Sequence, residues 1–153
     1  MKLLYCGVVV VGMTIAFDWL TRTGNLYAGA VPMAFGLIAT LCWLDPRWQT
    51  GAWAVVGGWR LSLVFLMTGN IVELPVIAIV CVLSVLGVFK SPWFLVAVWF
   101  GHPVWDMLPR SLPAALHELP SACLLSDVIV GCYLVWAIRT GRVAALLQGT
   151  RDR

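Results

Sequence analysis

Charged side chains are scarce in this sequence. Ten lysines and arginines and seven aspartates and glutamates make up 11% of its 153 residues, whereas about 25% of the residues of a soluble domain are charged. Apolar residues reach 61%, and the mean hydropathy is +0.94. Because so few charges cannot wet the surface of a soluble domain, the composition predicts that most of this surface contacts lipid.

Several signatures of enzymes and metal proteins are missing. The five cysteines form no Cys-x-x-Cys pair, which excludes the usual zinc and thioredoxin-like spacings, and we interpret all five as small apolar residues. The sequence has no Gly-x-Ser-x-Gly segment and no phosphate-binding glycine loop. We therefore predict no cofactor, and the small positive charge gives no reason to expect nucleic acid as a partner.

Breaks in the apolar sequence recur at about the spacing of transmembrane helices, which need roughly 17–25 residues. The breaks are residues 21–25, 45–51, 68–70, 90–92 and 109–119. We predict an all-α integral membrane bundle with six transmembrane helices, at residues 3–20, 26–44, 52–68, 71–89, 93–108 and 120–138. Residues 1–140 would form one domain, followed by a basic cytoplasmic tail at 141–153. The turn at Gly69-Asn70 is the shortest break, and without it helices three and four would form one bent or re-entrant pair.

The distribution of basic residues predicts the orientation, because lysine and arginine favour cytoplasmic loops. With six helices, seven basic residues share the side of the termini, namely Lys2, Arg47, Lys90, Arg139, Arg142, Arg151 and Arg153. The opposite side receives Arg22 and Arg110. The sequence therefore predicts a multi-pass protein of the cell membrane, of the bacterial inner-membrane kind, with both termini in the cytoplasm.

Three predicted helices carry an ionisable residue near the middle of the bilayer. A rise of about 1.5 Å per residue places Arg60 and Asp127 roughly 10–12 Å inside the membrane boundaries and His102 near the midplane. Such residues usually face a bundle interior and have partners. Arg60 and Asp127 could form a structural ion pair, or they could line a pathway for a substrate or a proton.

Further acidic residues lie nearer the outer side, namely Asp18, Glu73 and Asp106. His102 and Asp106 are four residues apart and therefore share one helix face. The two residues could form a purely structural pair, or Asp106 could hold one ring nitrogen of His102 and leave the other for a proton, a substrate or a metal. His117 and Glu118 in the outer loop are also of metal-ligand type, but the spacing of these residues matches no membrane metal motif, and we predict no metal site.

One segment of the last third has a recognisable pattern. Gly101-His102-Pro103-Val104-Trp105-Asp106 is followed by Pro120-x-x-Cys123-x-x-x-Asp127 and by Gly131. This arrangement resembles a His/Trp-Asp and then Pro-Cys-Asp pattern of small, uncharacterised bacterial multi-pass membrane proteins. The resemblance brings no activity with it, and it implies that His102, Asp106 and Asp127 act as one unit.

Three functions fit these residues. The first is binding or translocation of a small solute, an ion or a proton at a central polar site, in a chain so short that a homo-oligomer is expected. The second is an intramembrane enzyme that acts on a lipid or another apolar substrate, with His102 as the acid–base group and Asp106 orienting it. The third is an accessory or assembly subunit of a larger membrane complex.

Overall fold

The computed structural model describes residues 2–108 and 112–146, without the side chains of residues 2, 3, 60–64, 67 and 68. This part of the chain is all α-helical and contains no strand. Its helices are α1 (Lys2–Thr23), α2 (Leu26–Leu41), α3 (Pro46–Thr68), α4 (Glu73–Phe89), α5 (Trp93–Asp106) and α6 (Leu119–Arg139). A single 3-10 turn, Ala114–Leu116, lies between α5 and α6.

The predicted all-α fold with six helices is confirmed, and all helix ends but one lie within three residues of the predicted ones. The exception is α3, which begins at Pro46 instead of residue 52. The prediction treats Asp45-Pro46 as a turn, yet proline is favoured in the first helical turn because its missing N–H group is not needed there. At the other end of α3, Gly69 adopts the left-handed conformation with φ of 63°, so α3 and α4 are separate helices.

The chain divides into two compact units, and unit 1 comprises Met1–Trp43 and Trp99–Tyr133. In unit 1, α1 and α2 form an antiparallel hairpin whose turn contains Gly24, with φ of 66°. A β-carbon at Gly29 would overlap the Leu20 side chain, which shows how closely the two helices approach. At the open end of the hairpin, the Tyr5 hydroxyl donates to the Thr40 carbonyl at 2.6 Å.

Unit 2 comprises Leu44–Val98 and Leu134–Arg153 and is built around the packing of α3 against α4. Val80 and Val98 are the buried centre of one apolar cluster in this unit. The first part of the predicted tail also belongs to it, because Val143 and Ala145 are buried and the Leu146 amide donates to the Val88 carbonyl at 2.8 Å. Residues 147–153 lie outside the described part of the chain.

Two segments of the described chain are long and apolar enough to cross a bilayer, Leu4–Thr23 and Ala114–Arg139. Leu26–Leu41 and Glu73–Phe89 are apolar but shorter. The same length and composition occur in core helices of soluble proteins and in signal sequences, so these segments allow a membrane location without establishing it. The predicted charge bias stays a prediction, because Arg110, Arg151 and Arg153 lie outside the described residues.

Candidate functional site

A buried hydrogen bond joins α5 to α6 within unit 1. His102 Nδ1 lies 2.6 Å from Asp127 Oδ2, and the two side chains are 7% and 0% exposed. With Asp127 ionised, its carboxylate can only accept hydrogen bonds, and this contact then assigns the ring proton of His102 to Nδ1. The Ser126 hydroxyl donates to the other carboxylate oxygen, Oδ1, at 3.1 Å. Asp127 therefore sets both the tautomer and the orientation of the imidazole.

The second ring nitrogen of His102 faces the second carboxylate. Nε2 lies 3.6 Å from Asp106 Oδ2, which is too long for a hydrogen bond. This nitrogen is buried and makes no hydrogen bond to any described group. The sequence analysis considered Asp106 as the residue that holds the imidazole ring. In the structure Asp127 contacts Nδ1, whereas Asp106, one turn along α5, lies beside Nε2.

Cys123 completes the cluster. A ring nitrogen of His102, a carboxylate oxygen of Asp106 and the Cys123 thiol all lie within 4.8 Å of one another, and all three residues are buried. Cys123 and Asp127 are four residues apart on α6, so they share a face, as do His102 and Asp106 on α5. Two matching faces therefore bring a thiol, an imidazole and two carboxylates together.

A close approach of the two helices makes this cluster possible. Gly131 follows Asp127 by one turn, and a β-carbon there would lie 2.8 Å from the Phe100 ring. Phe100 precedes His102 by two residues on α5. Because glycine leaves the space that the ring occupies, the Phe100 side chain packs directly on the α6 backbone, one turn from Asp127.

The other site residues predicted from the sequence either lie apart from the His102 cluster or have side chains that the structure does not describe. Asp18 pairs with Arg22 one turn along α1, with 2.8 Å between Oδ2 and Nε, and half of its side chain is exposed. Glu73 belongs to unit 2 and is buried in the first turn of α4, where the helix dipole favours a carboxylate. The side chain of Arg60 lies outside the described residues, so its ion pair with Asp127 stays a prediction.

His117 and Glu118, considered above as metal ligands, lie at a helix start instead. His117 Nδ1 lies 2.8 Å from the Ala114 carbonyl oxygen, and the side chain is 72% exposed. Glu118 accepts a hydrogen bond from the Tyr27 amide at 3.0 Å. A carboxylate at the first turn of α2 satisfies an amide that has no partner within the helix and complements the helix dipole.

Cys123 and Ser126 are the two members of the cluster that the sequence analysis missed as functional residues. The four-residue spacing of Cys123 and Asp127 on α6 is the same signal that singles out His102 and Asp106 on α5. Sequence spacing does not show which faces of two helices meet, because that depends on their packing. No family model matches this chain, and no curated protein or solved structure matches it.

Proposed function

We propose that this chain is a small polytopic membrane protein whose buried cluster of His102, Asp106 and Asp127 binds a small solute, an ion or a proton and passes it across the bilayer. The observation that carries the proposal is the fully buried His102–Asp127 bond between two apolar helices. Ionisable side chains are costly at membrane depth and mark ion or substrate pathways there. The cluster would lie between the middle and the outer third of the bilayer.

The exposed surface of α1 supports the membrane location. Five of its exposed large apolar side chains recur every three or four residues and form one stripe, Leu4, Val8, Val11, Ile15 and Trp19. Each is more than half exposed, and contiguous apolar stripes on a folded protein mark contact with lipid or with a partner. Two hydroxyl side chains of α1 suit lipid as well, because Thr14 and Thr21 donate to carbonyls of their own helix, at Val10 and Phe17.

The charges of the cluster favour a cation or a proton over an anion. Asp106 and Asp127 bring two carboxylates to one imidazole, and Nε2 of that ring presents a buried lone pair. An anion would meet two like charges, whereas a cation or a proton would be attracted by them. Within unit 1, the cluster is thus suited to hold a positive species.

Cys123 favours a second candidate function, an intramembrane enzyme. A thiol, an imidazole and a carboxylate that orients the imidazole are the three parts of an activated cysteine nucleophile. The cluster contains all three, as Cys123, His102 and Asp127. This enzyme would act on an acyl group of a lipid or of another apolar substrate, with Cys123 as its nucleophile.

Flux measurements with matched variants test the first function. The full chain is reconstituted into vesicles that contain a pH-sensitive or a divalent-cation-sensitive dye, and flux is followed under an imposed gradient. We expect flux with the original sequence and with His117→Gln and Asp18→Asn, which change exposed residues of the same types. We expect His102→Gln and Asp127→Asn to lose it.

Three results would contradict the proposal. Equal flux for His102→Gln and His117→Gln would show that the cluster is not the pathway, and the accessory-subunit hypothesis would then lead. Release of the folded chain from cell membranes by alkaline carbonate would contradict the membrane location itself. Reaction of the Cys123 thiol with a probe that carries an acyl group, together with turnover of the probe and no flux, would favour the enzyme.

A further inference from the structure

We propose that His102, Asp106 and Cys123 are the ligands of a borderline-soft divalent cation, with Zn²⁺ as the best match, and that Asp127 orients the histidine ligand. The inference rests on the proposed function for the location of the site and names the ligand class that this site takes. It does not depend on whether the bound ion crosses the bilayer, because binding requires only the cluster within unit 1.

The separation of the nitrogen and oxygen ligand atoms fits a shared ion better than it fits a direct hydrogen bond. Zinc lies about 2.0 Å from nitrogen and oxygen ligands, so tetrahedral coordination separates two such atoms by about 3.3 Å. The observed separation of His102 Nε2 and Asp106 Oδ2 is 3.6 Å. The third atom, Cys123 Sγ, lies within 4.8 Å of the other two ligand atoms. A small side-chain movement would bring it to roughly 3.5 Å from them, which is the separation between a thiolate and another ligand atom on one zinc ion.

The orientation of His102 also fits a ligand. Metal-bound histidines almost always donate their other ring N–H group to a carboxylate, a carbonyl or a water molecule, which fixes the tautomer and the direction of the ring. His102 has this arrangement, because Nδ1 is bound to Asp127 at 2.6 Å while Nε2 is buried and makes no hydrogen bond. Nε2 lies beside Asp106 Oδ2 at 3.6 Å, in the group that also contains the Cys123 thiol.

The ligand types select the metal. Mg²⁺ and Ca²⁺ prefer oxygen ligands alone, so a site with a thiol and an imidazole disfavours both. Zn²⁺ accepts cysteine sulfur, histidine nitrogen and carboxylate oxygen together in tetrahedral sites. Three protein ligands leave one position open, which distinguishes catalytic and exchangeable sites from closed structural sites. An exchangeable site is what a protein that binds and releases its ion requires.

Cobalt titration tests the site directly. The full chain, purified in detergent with its thiols reduced, is titrated with Co²⁺, which replaces zinc in tetrahedral sites and absorbs visible light there. We expect one Co²⁺ to bind per chain and to give visible absorption together with a near-ultraviolet band from thiolate-to-cobalt charge transfer. Both absorption signals should disappear when Zn²⁺ is added. Alkali and Mg²⁺ ions should leave the spectrum unchanged.

Cysteine variants identify the thiol. Cys132 lies on the same helix and in the same unit, but it is exposed, so Cys132→Ser is the matched control and should keep the full spectrum. Cys123→Ser should lose the charge-transfer band, and His102→Gln should weaken Co²⁺ binding by more than about 100-fold. Asp127→Asn should weaken it by about 10–100-fold, as expected for a residue that orients a ligand. Circular dichroism checks that each variant keeps its helices.

The outcomes separate this inference from the proposed function. Absence of the charge-transfer band in the original sequence, or its loss in Cys132→Ser and not in Cys123→Ser, overturns the metal site even if the vesicles show proton flux. Specific Co²⁺ binding at Cys123 supports the site even if the vesicles show no flux, in which case translocation fails and binding stands.

Discussion

Unit 1 places a histidine beside a carboxylate in two regions, with opposite results. In the α5–α6 cluster, His102 is 7% exposed and lies 2.6 Å from Asp127. At the start of α6, His117 is 72% exposed, and its Nε2 lies 4.0 Å from Glu118 Oε1. Both pairs join an imidazole to a carboxylate, but His102 and Asp127 lie on two different helices, whereas His117 and Glu118 are neighbours in the chain.

The comparison shows that burial decides what such a pair does. In water the interaction of an exposed pair is weak and is opposed by the entropy of holding two side chains together. In the dry interior each group depends on the other, because a lost partner leaves a buried charge or lone pair without compensation. In the first case Glu118 accepts a hydrogen bond at the start of α2. In the second case His102 and Asp127 fix each other's positions inside the protein.

The largest difference between the two regions is expected from removal of the histidine. His102→Ala takes the imidazole from the buried Asp127 carboxylate and should lower the free energy of unfolding by about 3–5 kcal/mol. His117→Ala should change it by less than about 0.5 kcal/mol, as at most surface sites. Denaturant unfolding of both variants in the same detergent measures the difference, and equal losses would contradict the comparison.

A double-mutant cycle should give the next largest effect. His102→Leu with Asp127→Leu removes both polar groups, so the double variant should be more stable than the sum of the single losses predicts, by about 2–3 kcal/mol. The cycle of His117→Leu and Glu118→Leu should be additive within about 0.5 kcal/mol. Additivity in the buried pair would mean that the two residues do not depend on each other. Equilibrium unfolding of the four variants of each cycle provides the energies.

The close approach of α5 and α6 should matter somewhat less. Gly131→Ala adds a β-carbon 2.8 Å from the Phe100 ring, and this overpacking should cost about 1–3 kcal/mol. Gly36→Ala is the control, because a β-carbon on α2 at Gly36 meets nothing within 4 Å, and it should be neutral or stabilising. Co²⁺ affinity should fall in Gly131→Ala alone, and a loss of the same size in Gly36→Ala would show a general effect of alanine.

The smallest effect is expected at the exposed pair itself. Glu118→Gln removes the charge that accepts from the Tyr27 amide at the start of α2, and it should cost about 0.3–1 kcal/mol. His117→Gln should leave the stability unchanged within error. Thermal unfolding at low and at high salt measures both, because screening should reduce the Glu118 contribution. A larger loss of stability in Glu118→Gln than in His102→Ala would contradict the conclusion that the buried pair contributes more.

The sequence was sufficient for the helices because each depends on local signals. Apolar length, proline and glycine placed all six, and the error at Pro46 came from reading a helix start as a turn. The i, i+4 relation of His102 and Asp106 was also accessible, since it lies within one helix. The His102–Asp127 bond was not, because it depends on which faces of α5 and α6 meet. Cys123 was interpreted as an apolar residue for the same reason.

The His102–Asp127 bond can form only late in the synthesis of the chain. The two partners are 25 residues apart in the chain, so His102 leaves the ribosome before the part of α6 that carries Asp127. At about 5–20 residues per second the delay is on the order of seconds. The threonines of α1 need no such wait, because Thr14 and Thr21 find their acceptors four residues back. The two hydroxyls of the first helix can therefore be satisfied as soon as that helix forms, whereas the imidazole of His102 finds its carboxylate only after α6 has formed.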